Sequence, residues 1–185
     1  MGYVVRFGRA ALFSVTAGVA LLAPCAFASV PVEYAVKAAY LTKFGIFVEW
    51  PDSVFESPVS PIVLCIAGAD PFDGTLDRIV QDQRIGNRKI VVKRMKSVAR
   101  DSGCEILYAG GSDEQTVDQA LDTVSGASVL TVTDSAPDSH THGIVEFVVQ
   151  NNRVRFNIDD EAARRNGITI SSHLLSLALN VRSRS

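Results

Sequence analysis

The sequence predicts an α/β fold: a single domain with a mixed β-sheet, helices on both faces, and a C-terminal antiparallel hairpin followed by helices. Two observations support this fold class. Between residues 62 and 133, apolar segments of strand length alternate with segments of helical periodicity. After residue 143 the pattern changes to two alternating segments joined by Asn151 and Asn152, a pair typical of a two-residue hairpin turn.

The first predicted element is an unusually apolar helix at residues 33–49, which Trp50 and Pro51 end. Only four of its residues are charged, and its apolar surface is wider than one core contact requires. Two interpretations stay open: a helix buried between other elements, or a helix that also contacts a second subunit or partner. Under the second, the contacts would be aromatic: Tyr34, Tyr40, Phe44, Phe47 and Trp50.

The central part of the chain predicts four strands and two helices. The strand at 62–68 is continuously apolar and is therefore expected to be buried on both faces. One helix is expected to begin at Asp70 and Pro71, the other at 112–115, where Ser and acidic residues suit an N-terminus. The remaining strands are predicted at 88–95, 105–109 and 128–133.

The C-terminal part predicts the hairpin strands 143–150 and 153–158, followed by two helices. The first spans 159–165 and ends at Gly167. The second is capped by Ser171 and Ser172 and runs to Val181.

Residues 1–28 have the three parts of a cleavable secretory signal peptide. Arg6 and Arg9 form the basic region, an apolar run follows at 10–23, and the small-residue site is 26–28. The run is short for a bilayer span, which needs about 20 apolar residues. An uncleaved anchor and a lipoprotein at Cys25 are the alternatives, although Pro24 is unsuited to the latter. Residues 29–185 then form one exported domain.

Export fixes the charge balance and the cysteine count of the mature domain. Losing Arg6 and Arg9 leaves 16 basic against 20 acidic residues, a net charge of −4. This charge argues against nucleic acid as a partner. Losing Cys25 leaves Cys65 and Cys104, which in an oxidising compartment predict a disulfide and hence two strands that lie close together.

A basic run occupies residues 84–100, with seven Lys or Arg and no acid. Such a run is typical of a solvated edge strand, where positive charges discourage pairing with another sheet. The alternative is a patch that docks an acidic partner. The first interpretation is favoured.

Groups that would carry catalysis are poorly represented. Adjacent Ser172 and His173 do not suit a catalytic triad, whose members converge from separate elements. His140 and His142, near Asp134, suggest a metal site, but a further spaced His or Cys is missing. We therefore expect neither an enzyme nor a cofactor. A small-ligand module, with its pocket at the strand ends near 68–72, remains an alternative function.

Several blocks of the chain have a recognisable pattern. The first is EYAVKAAYLTKFGIFVEWP at 33–51, and the second includes Cys65, Gly68 and 70–72. Others lie at 104–108, 129–134, 154–158 and 162–178. Together these blocks resemble the YfiR family, once described as a domain of unknown function (DUF4154), and the resemblance covers essentially the whole mature chain.

The resemblance implies a periplasmic regulator without enzymatic activity. The type member represses an inner-membrane diguanylate cyclase by binding its periplasmic sensor region, and an OmpA-like outer-membrane lipoprotein sequesters the repressor. Cyclic-di-GMP and biofilm formation would be the downstream readouts, the membrane partner of a relative being this cyclase or another sensor protein. An α/β fold and frequent homodimers are also implied. Cys65 and Cys104 match one cysteine pair of the family, whereas the second pair is absent, since 135–152 contains no Cys.

Overall fold

The computed structural model describes residues 1–3, 32–135 and 141–183. Within them, the predicted fold class is confirmed: a mixed eight-stranded sheet with helices on both faces. The predicted signal peptide, beyond its first three residues, and His140 lie outside the described residues. None of the helices in the described ranges has the length and apolarity needed to cross a membrane.

The helices and strands of the described residues follow one another in this order: α1 (Val32–Phe44), β1 (Val48–Glu49), β2 (Ile62–Gly68), α2 (Gly74–Val80), β3 (Arg84–Ile85), β4 (Arg88–Met95), β5 (Ile106–Gly111), α3 (Val117–Thr123), β6 (Leu130–Asp134), β7 (Val145–Gln150), β8 (Arg153–Asp159), α4 (Asp160–Arg165), β9 (Thr169–Ile170), α5 (Ser172–Leu177) and β10 (Val181–Arg182).

The main sheet has the strand order β10-β8-β7-β6-β5-β2-β4-β3. Strands β4, β2, β5, β6 and β7 are parallel, and the hairpin partner β8 is antiparallel to β7. The chain passes from β2 to β4 and then returns to β5 on the other side of β2. A topological switch point therefore lies between β2 and β5, the place where open α/β sheets often bind ligands.

The core lies on both faces of β2, as its continuous apolar sequence predicted. Leu64 and Ile66 pack on the face covered by α1 and α2, whereas Cys65 and Ala67 pack on the face covered by α3. Cys65 is bonded to Cys104, with a Cα–Cα distance of 5.8 Å. Cys65 lies within β2 and Cys104 lies two residues before β5, and the two strands pair, so their expected proximity is confirmed.

The first helix is shorter than predicted. Helix α1 ends at Phe44, Gly45–Phe47 forms a 3-10 turn, and β1 pairs with β9 through Val48 and Ile170. The predicted end at residue 49 was therefore wrong. Glycine is a poor helix former, and the pairing of β1 with a segment more than a hundred residues away stabilises an extended chain instead.

Three other helix boundaries also differ from the prediction. Asp70 Oδ1 accepts a hydrogen bond from Phe72 N and so caps a turn, and α2 begins only at Gly74. Ser112 likewise caps a turn, and the capping box of α3 is formed by Thr116. Helix α5 ends at Leu177 rather than near 181, because β10 pairs with β8.

The predicted hairpin turn and the predicted cap of the last helix are confirmed, and Asp159, predicted as the first residue of a helix, is the N-cap of α4. Asn151 and Asn152 have φ values of 51° and 59°, the left-handed conformation that a two-residue turn requires. Asp159 accepts a hydrogen bond from Ala162 N, and Ser171 accepts one from Leu174 N.

Candidate partner-binding surface

Helix α1 leaves one apolar side uncovered, which we call the outer face. Val32 and Val36 are 80% and 38% exposed, and Lys43 lies at the far end of this face. Four of its five apolar members are small, so the surface is nearly flat along the helix. The apolar members of the outer face are Val32, Ala35, Val36, Ala39 and Tyr40.

A concave surface, which we call the groove, continues from the outer face through Tyr40. It has a volume of about 430 Å³ and lies between α1, β8 and α5. Tyr40 packs edge-on against Phe156, with ring centroids 5.5 Å apart. Leu177 is exposed at the groove's margin. Its apolar lining consists of Tyr40, Phe44, Phe47, Val154, Phe156, Leu174 and Leu177.

The five aromatic residues predicted to contact a partner fall into different positions. Phe44 is only 1% exposed and belongs to the core, so although its ring forms part of the groove floor it offers almost no surface to a partner. Tyr40 and Phe47 are half-buried and line the groove. Tyr34 is half-buried against Phe72, away from the groove. Trp50 is also half-buried, and among the described residues its indole N–H has no acceptor.

Three basic side chains line the groove without a partner of their own. Lys43, Arg153 and Arg155 form no ion pair or hydrogen bond within the described part of the chain. Arg153 and Arg155 also line a neighbouring hollow at the hairpin turn. The groove therefore combines an apolar floor with unneutralised positive charge.

The basic run at 84–100 differs from the groove, because most of its Lys and Arg side chains form ion pairs or hydrogen bonds with other residues of the chain. Arg94 forms ion pairs with Asp70 and Asp77, and it holds the pKa of Asp77 below its usual value. Arg88 stacks on the Phe55 ring at 3.6 Å and donates to two backbone carbonyls. Within the described ranges, only the short β3 pairs with the outer edge of β4, which agrees with the favoured interpretation as a solvated edge strand.

A buried lysine anchors α1 to the sheet beneath the outer face. Lys37 is 3% exposed and forms ion pairs with Glu33 and with Asp134, whose Oδ1 lies 2.9 Å from Lys37 Nζ. Burial alone would lower the pKa of Lys37, but the two carboxylates outweigh it and raise the pKa. Tyr108 donates to the other oxygen of Asp134. This network fixes the rotation of α1 and hence which side stays exposed.

The topological switch point, the location of the alternative ligand pocket, is filled by backbone. Ala69 N donates to Gly111 O at 2.8 Å, and a Cβ built on Gly110 would lie 2.1 Å from Ala69 O. Phe72 is fully buried beside these loops. The two loops therefore contact each other where a ligand would have to enter.

The structure gives little support to the metal site that the sequence suggested. His142 lies 2.9 Å from Glu146, which also accepts a hydrogen bond from Asn157. Among the described residues, no group of three His, Cys, Asp or Glu side chains is arranged to hold a metal ion.

Comparison with known protein families agrees with this picture of a binding protein. The model of the YfiR/HmsC-like family (DUF4154) matches residues 34–179, most of the chain. The chain belongs to the YfiR/HmsC-like family. A comparison with curated proteins found no match.

Members of the YfiR/HmsC-like family are periplasmic regulators of cyclic-di-GMP signalling. The family is regulatory rather than catalytic, and it is associated with the control of membrane sensor proteins. Both the outer face and the groove lie within the matched residues, apart from Val32.

Sequence reasoning missed much of the surface. The predicted contact residues were all aromatic and so did not include Val36 and Ala39, although spacing of three and four residues places these on one side of a helix with Tyr40. The groove joins residues from three separate elements, for which the sequence carries no local signal.

Proposed function

We propose that this protein represses an inner-membrane diguanylate cyclase by binding the periplasmic sensor region of that enzyme. The observation that supports this most directly is the uncovered apolar surface, formed by the outer face and the groove. An exposed apolar helix face beside a concave apolar groove is a surface on which a partner segment can bury apolar side chains. Family membership supplies the kind of partner, a membrane sensor in cyclic-di-GMP signalling.

Repression by binding needs no chemistry on a substrate. A rigid domain that binds the inactive conformation of the sensor region more tightly than the active conformation lowers the population of the active conformation. The size of the shift is set by the difference between the two affinities. The Lys37 network and the core packing of Phe44 hold α1 rigidly for such a role. An OmpA-like outer-membrane lipoprotein that competes for the same surface would relieve the repression.

The proposal is tested in cells that lack this gene and carry the cyclase. We expect that cyclic-di-GMP and biofilm rise on deletion, and that the wild-type protein restores both. Val36→Glu places a charge in the apolar contact, so this variant should fail to restore them.

Val91→Glu is the matched control, since Val91 is 45% exposed but lies on β4, away from the surface. It should repress like the wild type at equal periplasmic levels. Full repression by Val36→Glu would contradict the proposed use of α1.

A further inference from the structure

The side of β8 that faces away from β7 is open over its first half. Strand β10 pairs with β8 only at Ile158 and Asp159, and just before it Leu179 N donates to Phe156 O. Residues Arg153–Arg155 have no strand on this side among the described residues. The open stretch forms one wall of the groove.

The register of the hairpin shows which backbone groups are free there. In an antiparallel ladder, alternate residues bond to the neighbouring strand and the residues between them direct N–H and C=O outward. Phe156 and Ile158 bond outward, to Leu179 and Asn180. Val154, two residues earlier, must also direct its N–H and C=O outward, and no described residue bonds to either.

The side chains of this stretch alternate between the two faces of the strand. Val154 and Phe156 belong to the face that packs against the core beneath α1, whereas Arg153 and Arg155 belong to the opposite face. A strand added to this edge would extend both faces of the sheet. Half of its side chains would lie in the groove next to Val154 and Phe156, where apolar residues fit. The alternate side chains would lie on the other face, next to Arg153 and Arg155.

We propose that the groove binds an extended segment of the partner in which apolar and acidic residues alternate. The segment adds a strand to β8, bonds to the backbone of Val154, and sets its carboxylates against Arg153 and Arg155. This inference rests on the proposed function, because the segment is assigned to the membrane sensor.

Two other occupants fit the groove less well. Two copies of this chain pairing through β8 would bring Arg153 and Arg155 of both together, and like charges directly opposite destabilise a sheet. An anionic membrane surface would meet an acidic domain and a concave groove rather than a broad basic surface.

The test uses three short synthetic peptides: one alternating Val and Glu, one with the same composition in two blocks, and one alternating Val and Lys. We expect only the alternating Val/Glu peptide to bind, with amide NMR shifts at Val154 and Phe156. The double variant R153E/R155E should weaken its binding by at least about tenfold. Both positions are solvent-accessible on a surface strand, and circular dichroism checks that the variant is folded.

Lys89→Glu is the matched control, because Lys89 is exposed on a strand and unpaired in the described residues. It should change affinity less than about twofold. Equal binding of the block or Lys peptide would overturn the inference. The inference would also be overturned if the protein bound phosphatidylglycerol vesicles, or associated with itself, and R153E/R155E abolished that binding.

The same variants separate this inference from the proposed function. If the sensor region of the cyclase binds wild type and R153E/R155E equally, the proposed function stands and the strand addition is wrong. If the Val/Glu peptide behaves as expected but the sensor region does not bind, the groove chemistry stands and the assigned partner is wrong.

Discussion

Glu105 shows how a single buried carboxyl makes stability depend on pH. It follows Cys104, is 7% exposed, and accepts a hydrogen bond from Val63 N at 2.7 Å. Burial raises its pKa, despite that hydrogen bond. The folded protein therefore holds this proton more tightly than the unfolded chain does. The Glu105 carboxyl therefore contributes most to the free energy of unfolding below its ordinary pKa of 4.5. This contribution is lost as the pH rises through the raised pKa of the folded protein.

Glu105→Gln should remove this dependence, because the amide keeps an oxygen for Val63 N and carries no charge to desolvate. We expect the free energy of unfolding of the variant, relative to wild type, to increase between about pH 4 and about pH 7. Urea unfolding at both pH values measures it. Exposed Glu56, changed to Gln, is the control. A difference from wild type that does not vary with pH would contradict this explanation.

At the scale of elements, the contact between the end of β5 and the loop after β2 depends on the absence of side chains. A Cβ on Gly110, in β5, would meet the backbone oxygen of Ala69, which has no flexible end that could move aside. A methyl group there must push the strand end and the loop apart and so disturb the β2–β5 pairing. Gly74, the first residue of α2, has open space around it.

Gly110→Ala should therefore lower the free energy of unfolding by about 2 to 3 kcal/mol, the cost typical of overpacking. Gly74→Ala should leave it unchanged or raise it slightly, because alanine is the better helix former. Chemical denaturation of the two variants decides the matter. Equal stability of the two proteins would show that the loops are not closely packed in solution.

The sequence predicted elements well where the signal was local. The apolar run of β2, the Asn151–Asn152 turn and the cap of the last helix at Ser171 are all present, and the helix predicted from Asp159 begins one residue later. It failed where one residue type serves two structures: Asp70 and Ser112 cap turns, although the same side chains often begin helices. It also missed β1, β9 and β10, short strands that are extended because of partners distant in sequence.

At the scale of the whole molecule, the fold decides which part of an apolar helix is exposed. The sequence left burial and partner contact as open alternatives for α1; in the structure Phe44 is buried in the core, whereas Val36 lies on the surface, where a partner could reach it. The groove exists because the hairpin and α5 close around Tyr40. Neither feature was predictable residue by residue, since each depends on how distant segments pack.

The central claim is that the surface of α1 and the groove binds a membrane sensor. Its most direct test is calorimetric titration of the purified mature domain with the periplasmic region of the cyclase. We expect wild type and Val91→Glu, an exposed valine on β4 outside this surface, to bind equally. Leu177→Glu, at the groove, should bind at least about tenfold more weakly. Unchanged affinity of Leu177→Glu, or no binding by wild type, would contradict the claim.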